Sequence, residues 1–90
     1  MTSTIRMPAD LLSLTGGERN VTADGATVRD LIADLDARYP GMADRLLDGS
    51  GLRRYVNVYF GGSDIRFLQG LDTVLVDGAT VTILPAVAGG

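Results

Sequence analysis

One helical stretch, Thr27 to Tyr39, stands between two groups of short strand-like segments, and it limits the fold more than any other feature of the chain. Val28, Leu31, Ile32 and Leu35 recur at helical spacing with Tyr39 one turn later, while Arg29, Asp30, Asp34 and Asp36 take other positions. One stripe is therefore buried and the rest is solvated. Thr27 supplies an N-cap oxygen, and Asp30 lies in the first turn, where the helix dipole favours a negative charge. Pro40-Gly41 ends the helix, because proline disfavours helical geometry in the residue before it and glycine permits the turn.

The segments on either side read as strands. Thr2 to Met7 alternates Ile5 and Met7 with polar residues, Pro8 suits a strand end, and Leu11, Leu12 and Leu14 lead to a turn at Thr15-Gly16-Gly17. Glu18 to Ala23 returns with Val21 as its apolar member, and Asp24-Gly25 closes a hairpin with a loose connection. After the helix, Met42 to Asp48 leaves room for a short second helix with Met42 and Leu46 buried and Leu47 as a third candidate, followed by a loop at Gly49-Ser50-Gly51. Tyr55 to Phe60 is the strongest internal strand, with Val56, Val58 and Phe60 toward the core and Asn57 and Tyr59 outward. Gly61 to Asp64 turns the chain, Ile65-Arg66-Phe67 makes a short return, Leu71 and Val74 supply two buried contacts, and Asp77-Gly78 turns again. The last strand, Thr80 to Leu84, puts Val81 and Ile83 inside, Thr82 outside and Leu84 near an exit; its pattern is lost at Pro85.

Strand, strand, helix, strand, short strand, strand describes an α+β two-layer fold, a mixed sheet of four to five strands with one main helix on one face. A right-handed crossover through the helix lets the first and last strands lie side by side and parallel. That is the β-grasp, or ubiquitin-like, topology. Residues 1–84 form the domain, and residues 85–90 form a flexible Gly-Gly tail that leaves from a central strand.

With 90 residues, 46% of them apolar, the chain suits one small core. It contains no Cys and no His, which removes thiol nucleophiles, imidazole bases, disulfides and the usual zinc or haem ligands. Asp30, Asp34 and Asp36 are read as a solvated face and make a poor metal site without a histidine. The net charge is −3 and every basic residue is Arg, a balance that argues against nucleic acid. Without Lys the chain cannot accept an isopeptide link from its own kind. No apolar run is long enough to span a bilayer and no signal segment opens the chain, so a cytoplasmic protein is expected. Arg53-Arg54 is an exposed pair or a contact for an acidic patch on an enzyme, and Gly61-Gly62 lacks the lysine and helix of a phosphate loop. The group left with reactivity is the free carboxylate of Gly90, presented by the residues before it.

The segment Asp77 to Gly90 resembles the C-terminus of the MoaD/ThiS family of ubiquitin-like sulfur carriers, and its ending Leu84-Pro85-Ala86-Val87-Ala88-Gly89-Gly90 resembles the CysO-type branch. Tyr55-Val56-Asn57-Val58-Tyr59 and Asp64-Ile65-Arg66-Phe67 are similar to that branch too, and the helix matches by position more than by identity. The resemblance runs from about Thr27 onward; Ala79, in a turn, departs from an acidic residue common in relatives. It implies a protein co-substrate, not an enzyme. An E1-like adenylyltransferase/sulfurtransferase using ATP would adenylate Gly90, because a carboxylate is a poor acyl electrophile until one oxygen becomes a leaving group, and a sulfur donor would then give a thiocarboxylate. In the CysO-like case that sulfur attacks an aminoacrylate on a pyridoxal-phosphate cysteine synthase, an acyl shift leaves cysteine amide-linked to Gly90, and a metal-dependent peptidase releases it. ATP, zinc and pyridoxal phosphate all belong to partners, and none is bound by the chain itself. Leu84, Pro85, Ala86, Val87, Ala88 and Gly89 would meet the partner; Tyr59 either joins them or only packs the sheet. Gly89 and Gly90, lacking Cβ, can thread a narrow channel, and residues 85–90 reach about 20 Å when extended at roughly 3.3 Å each. The same resemblance leaves open a ubiquitin-like modifier joined to lysines of other proteins, a MoaD-like small subunit of molybdopterin synthase, and the identity of the final sulfur acceptor.

Overall fold

The computed structural model describes residues 1–85. β1 (Thr2–Arg6) and β2 (Asn20–Asp24) form an antiparallel hairpin in register from Thr2↔Asp24 to Arg6↔Asn20, joined through a 3-10 turn at Ala9–Leu11. Next come α1 (Val28–Arg38), α2 (Met42–Leu46), and a separate small ribbon of β3 (Leu47–Asp48) and β4 (Gly51–Leu52). β5 (Val56–Phe60) and β6 (Ser63–Asp64) are followed by 3-10 turns at Ile65–Phe67 and Gly70–Asp72, and β7 (Thr80–Pro85) completes the order. The main sheet has five strands in the order β2-β1-β7-β5-β6, with β1 and β7 parallel. This is the β-grasp fold, at the upper end of the expected strand number, with β7 at its centre.

The alternation explains the two layers. Ser3 and Ile5 of β1, Val21 and Ala23 of β2, Val58 of β5, and Val81 and Ile83 of β7 are buried on the face that meets Val28, Leu31, Ile32 and Leu35 of α1. Full burial of one such aliphatic side chain is worth about 1.5–3 kcal/mol, so this seam dominates cohesion. Thr27 caps α1, its hydroxyl accepting the Asp30 N–H at 3.2 Å. The helix start is also tied to a neighbouring segment, since Val28 N–H donates to Thr73 O at 3.1 Å and Leu75 N–H donates to Ala26 O at 2.8 Å. No helix among the described residues is long and apolar enough to cross a membrane.

The acidic face of α1 is not simply solvated. Asp36 accepts the N–H groups of Gly41 and Ala43 at 3.2 and 3.0 Å, so it caps α2 across the left-handed turn at Gly41 (φ 97°). Asp34 accepts the Asp24 N–H at 2.8 Å and pairs with Arg38 at 2.8 Å. The Asp24 carboxyl is held below the usual carboxylate range, first by the Thr2 hydroxyl that donates to it and then by Arg38. Asp30 alone of the three keeps the expected outward role.

Several local expectations need correction. Ile65–Phe67 is a 3-10 turn, not a strand, because the Asp64 carboxylate accepts the Arg66 N–H at 2.8 Å and starts a helical turn. The return strand is the two-residue β6, reached through Gly61 and Gly62, both at positive φ. Val74 is 62% exposed and Leu75 is the buried member of that segment, because the Leu75–Ala26 bond turns Leu75 inward. The short helix stops at Leu46, and Leu47 is half-buried in β3. Ala79 is buried, with its carbonyl accepting the Thr4 N–H at 2.8 Å. Ser3, hidden among threonines in the sequence, is buried, and its hydroxyl has no partner among the described residues.

Gly25 sets the approach of α1 to the β2 end: a Cβ there would lie 2.5 Å from Leu31 N and 2.8 Å from Leu31 Cα. Backbone atoms of a helix cannot yield as a side-chain tip can. Gly25→Ala is expected to destabilise the fold by about 1–3 kcal/mol, and Thr27→Ala by about 1 kcal/mol through loss of the cap. Urea unfolding of the two variants beside the wild type measures both.

Candidate functional site

The candidate site is the end of the sheet where β7 delivers its last residues. On one side β7 pairs with β1; on the other it pairs with β5 through Tyr59↔Thr82, Asn57↔Leu84 and Val56↔Pro85. Val56 turns both backbone groups away from β7, its N–H donating to Arg53 O at 3.0 Å and its carbonyl accepting Arg66 Nη2 at 2.7 Å. The Val56–Pro85 pair is therefore the non-hydrogen-bonded kind, and Asn57 opposite Leu84 is the bonded kind. A proline costs no ladder bond at such a position. This is why the strand runs through Pro85, one residue past the limit of 84 expected from the pattern.

Leu84 is the outward residue at this end, 45% exposed although large and apolar. Tyr59 and Thr82, both half-buried, share its face, and Tyr59 is diagonal to Leu84 across the β5–β7 pair. A depression of about 350 Å³ is bounded by Tyr59, Gly61, Gly62, Thr80, Thr82 and Leu84. A second groove, of about 360 Å³, lies toward α2 and is lined in part by Leu11, Arg45, Arg53, Tyr55, Ile83 and Leu84. Leu84 borders both hollows.

Of the expected site residues, Tyr59, Leu84 and Pro85 belong to one end of the sheet. Ala86, Val87, Ala88, Gly89 and Gly90 lie outside the described residues. Arg53 and Arg54 are both exposed, as an exposed pair was expected to be, and Arg53 is also tethered, its Nε donating to Asp44 O at 2.9 Å at a wall of the second groove. Arg45, Tyr55 and Arg66 were not expected here. Their neighbourhood is made by tertiary approach of α2 and of the turn after β6, and no periodic signal in the sequence marks it.

A family model described as the ThiS family matches residues 5–90. The chain belongs to the ThiS family. It is 47% identical over 93 aligned residues to a protein named sulfur carrier protein CysO of Mycobacterium tuberculosis, with 100% of both chains covered. The CysO-type chain solved in the BexX/CysO complex of Amycolatopsis orientalis superposes with a TM-score of 0.92 at 46% identity, covering 98% of this chain and 99% of that one. The small archaeal modifier protein 3 of Haloferax volcanii is 42% identical over 67 residues, covering 74% of this chain and 73% of its own. The family member described here is thus CysO-like over its length and shares its fold with proteins named as modifiers.

The pairing at the end of β7 makes proline acceptable at one position and harmful at the next. Pro85→Ala is expected to change unfolding stability by no more than about 0.5 kcal/mol. Leu84→Pro removes an N–H from a bonded position and is expected to cost about 1 kcal/mol or more. Equal losses in chemical denaturation would contradict the assigned register.

Proposed function

We propose that this chain is a cytoplasmic sulfur carrier whose Gly90 carboxylate is the reacting group. The observation that carries the proposal is the end of β7, a central strand anchored by β1 at Thr80 to Thr82, where pairing with β5 holds Leu84 and Pro85 in a defined register immediately before the tail. Full-length similarity to proteins named as sulfur carriers supports it.

The chemistry asks little of the folded body. A carboxylate oxygen of Gly90 attacks the α-phosphorus of ATP on an E1-like enzyme, and pyrophosphate leaves. Sulfide from a donor then attacks the acyl carbon, and AMP leaves with the carboxyl oxygen. The product is a thiocarboxylate, a soft nucleophile at neutral pH that lets a chain without cysteine carry sulfur. An acceptor such as a cysteine synthase would take the sulfur, and a metal-dependent peptidase would release a Gly90-linked cysteine. The nucleotide, pyridoxal phosphate and zinc are the partners' own.

The body contributes anchoring. Leu84, with Tyr59 beside it, gives the partner an apolar handle at the base of the tail, and a five-residue segment such as 86–90 spans at most about 16 Å at roughly 3.3 Å each.

A second reading, a modifier joined through Gly90 to lysines of other proteins, is favoured by the likeness to small archaeal modifier protein 3. Both begin with adenylation and part at the second step. The test is incubation with an E1-like enzyme, ATP and sulfide, then with a cysteine synthase and an activated serine. A Gly90-cysteine adduct in the mass spectrum is expected from the intact chain and none from a chain lacking Gly90. Normal sulfur transfer by the shortened chain would overturn the proposal.

A further inference from the structure

β6 is only two residues long and pairs with Tyr59 and Phe60, so no strand among the described residues covers the outer edge of β5 at Val56 and Asn57. The side chain of Arg66 occupies that edge instead. Its Nη2 donates to Val56 O at 2.7 Å and to Arg53 O at 2.9 Å, and its Nη1 donates to the Asn57 side-chain oxygen at 3.0 Å. Asp64, whose side chain is 12% exposed, holds the arginine from behind: one carboxylate oxygen accepts the Arg66 N–H at 2.8 Å and the other lies 3.6 Å from Nη1. Val56 and Asn57 are the residues opposite Pro85 and Leu84. The same two residues that flank the end of β7 are therefore clamped from their far side by one guanidinium.

We infer that Arg66 is a positioning residue for tail activation: acting through β5, it sets the direction in which the chain leaves the sheet at Pro85. The inference rests on the sulfur-carrier reading, since direction matters only if the tail must enter a partner's site. The Val56–Pro85 pair has no ladder bonds of its own, so Pro85 follows β5 only as well as β5 is held elsewhere. A planar fork with five donors can serve two carbonyls and a side-chain oxygen together; a lysine ammonium is a single point with three. Release of the clamp spreads the exit directions, and the partner then engages only the competent fraction. Apparent affinity falls by that fraction, while turnover of the engaged complex is unaltered.

The measurement is the initial rate of pyrophosphate release by an E1-like adenylating enzyme as a function of carrier concentration. For Arg66→Ala a rise in KM of about tenfold is expected with kcat changed less than about twofold, as a competent fraction near one tenth requires. Arg66→Lys is expected to fall between Ala and wild type, and it carries the comparison if the alanine variant does not fold. Val21→Ala, which trims the core beneath β2, supplies a destabilised control whose KM stays at the wild-type value. Amide exchange at Asn57 and Leu84 should quicken in the Arg66 variants by more than their loss of global stability accounts for, and in that control by no more than its own loss accounts for. Equal KM values for the Arg66 variants and wild type overturn the role of Arg66 alone. Absence of any pyrophosphate release from the wild-type chain overturns the carrier reading, and the role falls with it.

Discussion

The parallel pairing of β1 with β7 is the contact on which the remaining architecture depends. Thr4↔Thr80, Ile5↔Val81 and Arg6↔Thr82 bring the first and last strands together, and the buried Ile5 and Val81 close the seam against α1. Parallel neighbours need a long crossover, and α1 is the element that supplies it. The pairing places β7 between two partners at Thr80 to Thr82, and beyond that point β5 alone continues the ladder, through Val58↔Ile83, Asn57↔Leu84 and Val56↔Pro85. A last strand on a sheet edge would lack the β1 anchor that fixes the root of this overhang.

How far the chain could be understood from its sequence varied with the range of the interactions. α1 was legible because its evidence is local: Thr27, the Val28–Leu35 stripe and Pro40-Gly41 all lie within one segment, and the cap forms as expected. The parallel adjacency of the first and last strands was legible because crossover handedness leaves few alternatives. Leu84 at an exit and Tyr59 on the outward face followed from alternation. Val74 and Leu75 were exchanged because both are apolar neighbours, and only the contact with Ala26 distinguishes them. Asp36 capping α2, Asp34 binding Asp24 and Arg66 clamping β5 were not legible. Each joins a side chain to a backbone group that the fold alone brings near, and composition marks none of them.

The chain separates rigidity from reactivity. Its described part contributes a packed core, a strand whose register survives a proline, and an exposed apolar residue at the strand's end. It contributes no thiol and no imidazole, because the sequence contains neither Cys nor His. Under the proposed function the reactive atoms belong to a backbone carboxylate, and nucleotide, sulfide donor and acceptor chemistry reside in other proteins. A carboxylate at the end of a narrow, Cβ-free segment can be taken into an enclosed site while the body stays outside. The arrangement also accounts for how one fold serves carriers and modifiers alike: the body presents, and the partner decides what is attached.

The claim at the centre of this account is that Gly90 carries sulfur. Its most direct test is the intact mass of the chain purified from its own cells under non-reducing conditions, with fragmentation to locate any change. The account predicts a population with one oxygen exchanged for sulfur at the Gly90 carboxyl group. A chain found only as free carboxylate, or only joined through Gly90 to lysines of other proteins, would contradict it.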